Sequence, residues 1–303
     1  MRILVTGVTG QVGAALRAPL ESAGSVIAAD RSVLDLSRPE QLRSTLDRMS
    51  PDLIVNPAAY TAVDRAEEER ELAFRINAEA PGAIARWAAG RGVPFIHFST
   101  DYVFDGSGER PWREDDPTGP LSAYGASKLA GEQAIRSAGG SHLIIRTSWV
   151  YAAQGSNFLR TIVRLAQQRA ELRVVADQFG APTSARLIAG VVADMLRSSP
   201  LLAERFAASG GLVNVSASGE TTWHGFATAI VEGLKARNVP LAAQSIQPIP
   251  TDAYPTKARR PANSRFDLTR LKSVFGVDTP KWDEALSVEL DRLAVALTST
   301  APG

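Results

Sequence analysis

Tyr124 and Lys128 stand four residues apart in Tyr124-Gly125-Ala126-Ser127-Lys128, a spacing that puts both side chains on one face of a helix. A phenol with an ordinary pKa of about 10 exchanges protons poorly near neutrality. An ammonium beside it favours the phenolate, lowers that pKa and makes Tyr124 a workable acid or base. Upstream, Ser99-Thr100-Asp101-Tyr102-Val103-Phe104 directly follows an apolar run ending at Phe98. A hydroxyl at the carboxyl end of a parallel strand lies where open α/β sheets bind ligands, so Thr100 is placed to hydrogen-bond a substrate oxygen while Tyr124 delivers a proton. Read without chemistry, Thr100 caps a helix or turn. Asp101 either contacts a sugar hydroxyl or closes an Asx turn.

A second constellation sits at the start of the chain. Thr6-Gly7-Val8-Thr9-Gly10-Gln11-Val12-Gly13 follows the strand-like Ile3-Leu4-Val5 and opens a helical pattern. Gly7 suits a tight turn, Gly10 a close backbone approach to a pyrophosphate, and Gly13 close packing of helix on sheet. Amides at the helix N-terminus then face the anion. The spacing is Gly-x-x-Gly-x-x-Gly, and Asp30 ends the next strand about 20 residues on, as a dinucleotide site requires. Asp30 is suited to the adenosine ribose hydroxyls and favours NAD, whereas Arg31 is suited to a 2′-phosphate and favours NADP. Asp35-Leu36 fits an adenine contact or a helix-entry loop ahead of Pro39, and Ala58-Ala59-Tyr60-Thr61 supplies small residues near a close approach. Lys128 also suits the nicotinamide ribose.

The elements that must carry these residues follow from periodicity. Apolar runs at Ile3–Val5, Ser25–Ala29, Leu53–Val55, Val93–Phe98 and Leu143–Ile145 alternate with helices over Gln11–Ala23, from Pro39 with Ser37 as N-cap, from about Glu67 to Gly90, and from about Ala123. Such alternation predicts a Rossmann-like, doubly wound parallel α/β sheet over residues 1–150. Residues 151–303 are read mainly as a smaller mixed α/β substrate-binding lobe, with helices at Phe158–Ala170, Ala185–Leu196, Trp223–Arg237 and from Lys281, a strand at Leu212–Val215, and a frayed end from Thr298. Boundaries are approximate, and the chain is free to cross between lobes more than once.

Composition narrows the class. With 303 residues the chain is long enough for two packed units. The balance of 33 Lys plus Arg against 32 Asp plus Glu argues against nucleic acid as a main partner. Absence of Cys removes disulfides, thiolate catalysis and cysteine metal sites. No apolar run is long enough to span a bilayer, and the first glycine comes too early for a signal-peptide core, so a cytoplasmic location is expected. His97, His142 and His224 share no metal-ligand spacing, and the first two read as packed strand residues.

Thr-Gly-x-x-Gly-x-x-Gly with Tyr-x-x-x-Lys resembles the extended short-chain dehydrogenase/reductase superfamily. Ser99–Phe104, Arg146-Thr147-Ser148-Trp149-Val150-Tyr151, Asp177–Thr183 and Ala258-Arg259-Arg260-Pro261 narrow the resemblance to the dTDP-4-dehydrorhamnose reductase family over residues 1 to 297. The resemblance implies NAD(P)H-dependent reduction of a nucleotide-sugar C4 ketone, the last step of dTDP-L-rhamnose synthesis. It implies that Gly10, Gln11, Val12, Asp30, Asp35, Leu36, Ala59, Tyr60, Thr61 and Phe98 touch the cofactor. Thr100, Asp101 and Trp149 then touch the substrate, with Tyr124 and Lys128 catalytic. Trp149 packs on the sugar or is a core aromatic. Arg260, with Arg259 and Lys257, clamps the diphosphate or is simply solvated. Magnesium is described for some members, but Ala15 stands on the first helix and no ligand set is identified. Related dehydratases carry an Asp-Glu pair where this chain has Asp101-Tyr102, so ketone reduction fits better than dehydration. The partner expected is a small-molecule nucleotide sugar, and the protein a monomer or homodimer. The alternatives are a reductase of another dTDP-4-ketosugar and a catalytically idle regulatory subunit of the same fold.

Overall fold

The computed structural model describes residues 1–197 and 202–298. Its main sheet contains β1 (Arg2–Thr6), β2 (Ser25–Ala29), β3 (Leu53–Asn56), β4 (Phe95–Thr100) and β5 (His142–Thr147). Every pairing is parallel, and Leu212–Asn214 adds a sixth strand beside β5, giving the order Leu212–Asn214, β5, β4, β3, β1, β2. All residues of β3 and β4 are buried, as expected of strands covered on both faces. Their polar members, Asn56, His97, Ser99 and Thr100, gather toward the carboxyl ends.

One face of the sheet packs on helix α1 (Gln11–Glu21) and on the Ala185–Arg197 helix through Leu16, Leu20, Ile188 and Val192. The other face packs on α2 (Pro39–Met49) and the Ala80–Ala89 helix through Leu42, Leu46, Ile84 and Trp87. A separate core joins the Phe158–Gln168, Trp223–Lys235 and Trp282–Thr298 helices with the parallel pair Glu171–Val175 and Ser245–Ile249. The chain therefore returns to the first unit after residue 150, contributing the Ala185–Arg197 helix and the Leu212–Asn214 strand before completing the second.

Two helical expectations differ in detail. Ser37 does not cap α2: its N–H and hydroxyl both donate to the Asp35 carboxylate, and the N-cap position is Arg38. The helix expected from Glu67 to Gly90 is divided into a 3-10 turn at Arg65–Glu67, an α-helical turn at Arg70–Phe74, a π-helical turn at Arg75–Glu79 and the Ala80–Ala89 helix. The π turn places Asn77 to hold Tyr60, accepting from its N–H at 2.8 Å and donating to its carbonyl at 3.0 Å, while also donating to Ser127 at 3.0 Å. Hydrogen bonds across the turn thus outweigh regular helical geometry. Fraying is expected from Thr298, but the last helix continues through Thr298; residues 299–303 lie outside the described residues.

The Ala123–Ser137 helix crosses these segments at backbone contact. A Cβ on Gly131 would stand 2.1 Å from the Asn77 carbonyl oxygen. Gly131→Ala is expected to lower stability by about 3 kcal/mol, because backbone must move to admit the methyl group. The check is the urea midpoint; an unchanged midpoint would mean that the helix has slack at this crossing.

Candidate active site

β1 ends in the glycine-rich turn, and the turn is shaped by backbone contacts. Gly7 has φ +56° and its Cα faces Ala58, while a Cβ on Gly13 would lie 2.2 Å from the Gly7 carbonyl oxygen. The Gly10 N-cap supplies no capping side chain, and no acid occupies the first turn of α1. The helix N-terminus is thus left for an external anion, as a pyrophosphate requires. Where β4 and β5 end, the Ser99, Thr147 and Ser148 hydroxyls are buried without a hydrogen-bond partner. Such orphaned groups, with the bare helix start, fit a long polar cofactor crossing the carboxyl edge of the sheet. Gln11 also reaches across to the second unit, its Oε1 accepting from Asn157 at 2.9 Å.

The residues expected around the adenosine end divide by where their side chains go. Asp30 accepts from the Ser32 N–H and hydroxyl and from the Val33 N–H, which hold its carboxyl below the usual range. Arg31, Arg38 and Arg75, together with Glu40 and Glu79, line one cavity of about 650 Å³ beside it. Asp35 closes the turn to Ser37 with Arg31 at 3.5 Å, and Leu36 is buried in the core, so Leu36 has only backbone to offer a ligand. Tyr60 spends its hydroxyl on Glu69 at 2.6 Å, while Ala59 is half-buried and Thr61 exposed.

At the carboxyl end of β4, Thr100 both caps and presents its hydroxyl. Its Oγ1 accepts from the Tyr102 N–H at 3.3 Å and donates to Asp101 at 3.0 Å. Asp101 is buried, with its second oxygen accepting from Ser264, and burial pushes its carboxyl up to about 6. The carboxylate therefore fixes the Thr100 hydroxyl instead of facing a ligand. Tyr102 meets Tyr124 edge-on with ring centroids 5.5 Å apart.

Lys128 lies one turn on from Tyr124 along the Ala123–Ser137 helix, as the spacing implies, and its side chain reaches β4. Its ammonium donates to the Phe98 carbonyl at 2.6 Å and lies 3.2 Å from His97 Nε2. Burial lowers its pKa to about 8, against the opposing charge of Glu132. Tyr124 is pushed up, chiefly by burial and further by Asp101 and Tyr102, with only the Thr100 side chain acting the other way. The long lysine stem runs into the sheet, so the charge meant to lower the phenol pKa is spent on β4. Tyr124 stays a neutral O–H donor.

A larger cavity of about 1140 Å³ adjoins this edge, walled by Tyr102, Trp149, Trp223, Phe158, Gln178 and Arg260 among others. Trp149 has φ +49° and stacks on Trp223 at 3.6 Å between centroids, and Gly180 makes room for its ring. Arg260 is steadied by Asp64 at 2.6 Å and reaches toward the Tyr102 hydroxyl. Lys257 pairs with Glu68, and Arg259 is exposed.

Residues 1–295 match the family described as the RmlD substrate binding domain. The dTDP-4-dehydrorhamnose reductase of Burkholderia thailandensis is 48% identical over 290 residues, covering 95% of this chain and 97% of that one. The chain belongs to the dTDP-4-dehydrorhamnose reductase family. A crystal structure of the Clostridium acetobutylicum reductase superimposes with a TM-score of 0.86 at 33% identity, covering 97% of this chain and 99% of the other. The Bacillus anthracis reductase in complex with NADP gives 0.84 at 32% identity, with the same coverage. Thermus thermophilus UDP-glucose 4-epimerase, 19% identical at a TM-score of 0.78, shares the fold.

Within this member of the dTDP-4-dehydrorhamnose reductase family, sequence reading missed Trp223, Phe158, Asn77 and Ser264. None lies in a spacing that betrays it; each reaches the site through tertiary contact. Among the described residues there is no group of three or more His, Asp or Glu side chains that could hold a metal ion, and no helix is long and apolar enough to cross a membrane.

Asp101 generates a prediction whose sign follows from its raised pKa. Between about pH 4 and pH 6 the folded protein keeps a proton that the unfolded chain has released, so this stabilisation is lost as pH rises. Asp101→Asn keeps the hydrogen bonds without the buried charge. From pH 4.5 to 7.5 the wild type is expected to lose about 2 kcal/mol of unfolding free energy relative to the variant. Parallel urea titrations would expose a flat difference if the buried carboxyl carries no such penalty.

Proposed function

We propose that this protein reduces the C4 ketone of dTDP-4-dehydro-6-deoxy-L-mannose to dTDP-L-rhamnose, using NADPH or NADH. The observation that carries the reading is Tyr124, packed edge-on against Tyr102 beside Thr100 at the end of β4, next to an aromatic-walled cavity at the sheet edge that begins with the glycine turn. Gly7, Gly10, Gln11, Val12 and Gly13 would hold the cofactor's pyrophosphate and Asp30 its ribose, with Lys128 toward the nicotinamide end. When bound, the cofactor supplies hydride to the carbonyl carbon.

The chain's own part is to orient the ketone and to supply one proton. The Thr100 hydroxyl, turned from Asp101, donates to the carbonyl oxygen. Tyr124 gives its proton as charge develops on that oxygen. A phenol held above its ordinary pKa is the right starting state, because a donor already ionised has no proton to give. Trp149, backed by Trp223, forms the sugar wall, and the remaining N–H groups of Arg260 face the diphosphate. Reaction with a nucleotide sugar and a nicotinamide cofactor fits a cytoplasmic location.

The test follows NAD(P)H absorbance with the ketosugar generated from dTDP-glucose by upstream enzymes, and identifies the product by chromatography against dTDP-L-rhamnose. Tyr124→Phe is expected to lower turnover at least about a hundredfold with cofactor affinity little changed. Near-normal turnover would remove Tyr124 as proton donor, and a different product would redirect the reading to another ketosugar. The arginine-lined cavity beside Asp30 also sets a preference: Arg31→Ala with Arg75→Ala is expected to raise KM for NADPH about tenfold and leave that for NADH within about twofold. Equal effects on both would place the 2′-phosphate elsewhere.

A further inference from the structure

A rank of polar side chains crosses the interior of the sheet beneath the site. The Thr6 hydroxyl at the end of β1 accepts from the Ala58 N–H at 3.3 Å and donates to Asn56 Oδ1 at 2.5 Å. Asn56, on β3, lies in register with His97 on β4, and its Nδ2 is 3.0 Å from His97 Nδ1. His97 Nε2 then lies 3.2 Å from Lys128 Nζ. Thr6, Asn56, His97 and Lys128 are all buried, His97 and Asn56 with no exposed surface. Four adjoining polar groups in a sheet interior cost desolvation unless each is paired, and here each is.

We propose that His97, aligned by Asn56 and Thr6, is the positioning residue that holds Lys128 against the end of β4 and serves it in both of its charge states. The proposal rests on the reading that Lys128 takes part in turnover. The Lys128 ammonium has three N–H donors and the Phe98 carbonyl takes one, so a second partner decides where the nitrogen sits. An imidazole suits that place because its two nitrogens are not alike. With Asn56 Nδ2 donating to Nδ1, the ring proton is on Nε2, which donates to the lone pair of a lysine amine. With the Asn56 amide turned over, Oδ1 accepts from Nδ1–H, and the Nε2 lone pair accepts from a lysine ammonium. The Thr6 hydroxyl has lone pairs to accept the turned amide. In either pattern the ring is neutral and the lysine keeps its partner.

Electrostatics agree with that geometry. Burial, reinforced by Lys128, lowers the His97 pKa well below 6.5, so the ring does not compete for the positive charge. The groups facing Lys128 are His97 and the Phe98 carbonyl from β4 and, from its own helix, Glu132, which is paired with Arg146 of β5 at 2.7 Å. Burial draws Lys128 itself down to about 8, which brings both charge states into the working range.

The variants are His97→Leu and His97→Gln, with Lys128→Met measured alongside. Leu removes an acceptor from the ammonium and a donor from the amine, and the charge-assisted bond is the greater loss. The alkaline limb of kcat should therefore move down by about one pH unit relative to the wild type, with kcat lowered about tenfold or more and the cofactor Kd within about threefold. Gln, whose terminal amide either accepts or donates, should restore kcat to within about threefold and return the limb. A residue that only fills the core would lower the unfolding midpoint without moving that limb. Impaired Lys128→Met together with an unshifted limb and normal kcat in a folded His97→Leu would overturn the role of His97. Normal turnover in Lys128→Met would overturn the reading beneath it and the proposal together. In the unmodified protein, nitrogen NMR of labelled histidine should find His97 still neutral where an ordinary imidazole has become charged; titration near 6.5 would overturn the proposal.

Discussion

Between the Tyr124 helix and the segments it crosses there is no room for a Cβ. Gly125 faces the Tyr102 carbonyl and Gly131 faces that of Asn77, each at a distance only hydrogen tolerates. This close approach sets everything that follows at the site. It brings the Tyr124 ring edge-on to Tyr102, and it drives the stem of Lys128 into the sheet as far as Phe98. A methyl group in the crossing would lift the helix and separate the proton donor from the strand end that aligns the ketone.

The same crossing explains why burial, more than pairing of charges, governs the site's proton chemistry. Tyr124 and Tyr102 are pushed up, Tyr102 to about 12, and Asp101 to about 6, in each case chiefly because the charged form loses water. The result is a donor held in its neutral form and a carboxyl group whose hydrogen bonds orient its neighbours. Reduction needs that state at its outset. A site built to abstract a proton first would need the opposite bias.

The π turn at Arg75–Glu79 is the other device of this kind. It interrupts a helix to place one amide, that of Asn77, against both the Tyr60 backbone and Ser127. The loop that follows β3 is thereby tied to the helix that carries Tyr124. Two parts of the site from distant stretches of chain become one rigid body, with Asp101 and Ser264 making a similar tie on the other side.

The sheet and its strand–helix alternation were legible because parallel strands buried on both faces leave continuous apolar runs, and the glycine turn because only glycine serves close backbone approach there. Tyr124, Lys128 and Thr100 were legible from spacing, which determines a shared helix face and a strand end. Spacing does not determine what a four-carbon stem reaches: the partners of Lys128, the inward turn of Asp101 and the burial of Leu36 depend on what packs across from them. Trp223 and Asn77 had no local signature, since each meets the site across long stretches of chain. The return of the chain to the sheet through Leu212–Asn214 was equally a matter of tertiary structure: a three-residue apolar run pairs wherever an open edge accepts it, and β5 offered that edge. Sequence determined which residues have the chemistry; the folded contacts decided which partner each one uses, because hydrogen bonds and desolvation act through space and not along the chain.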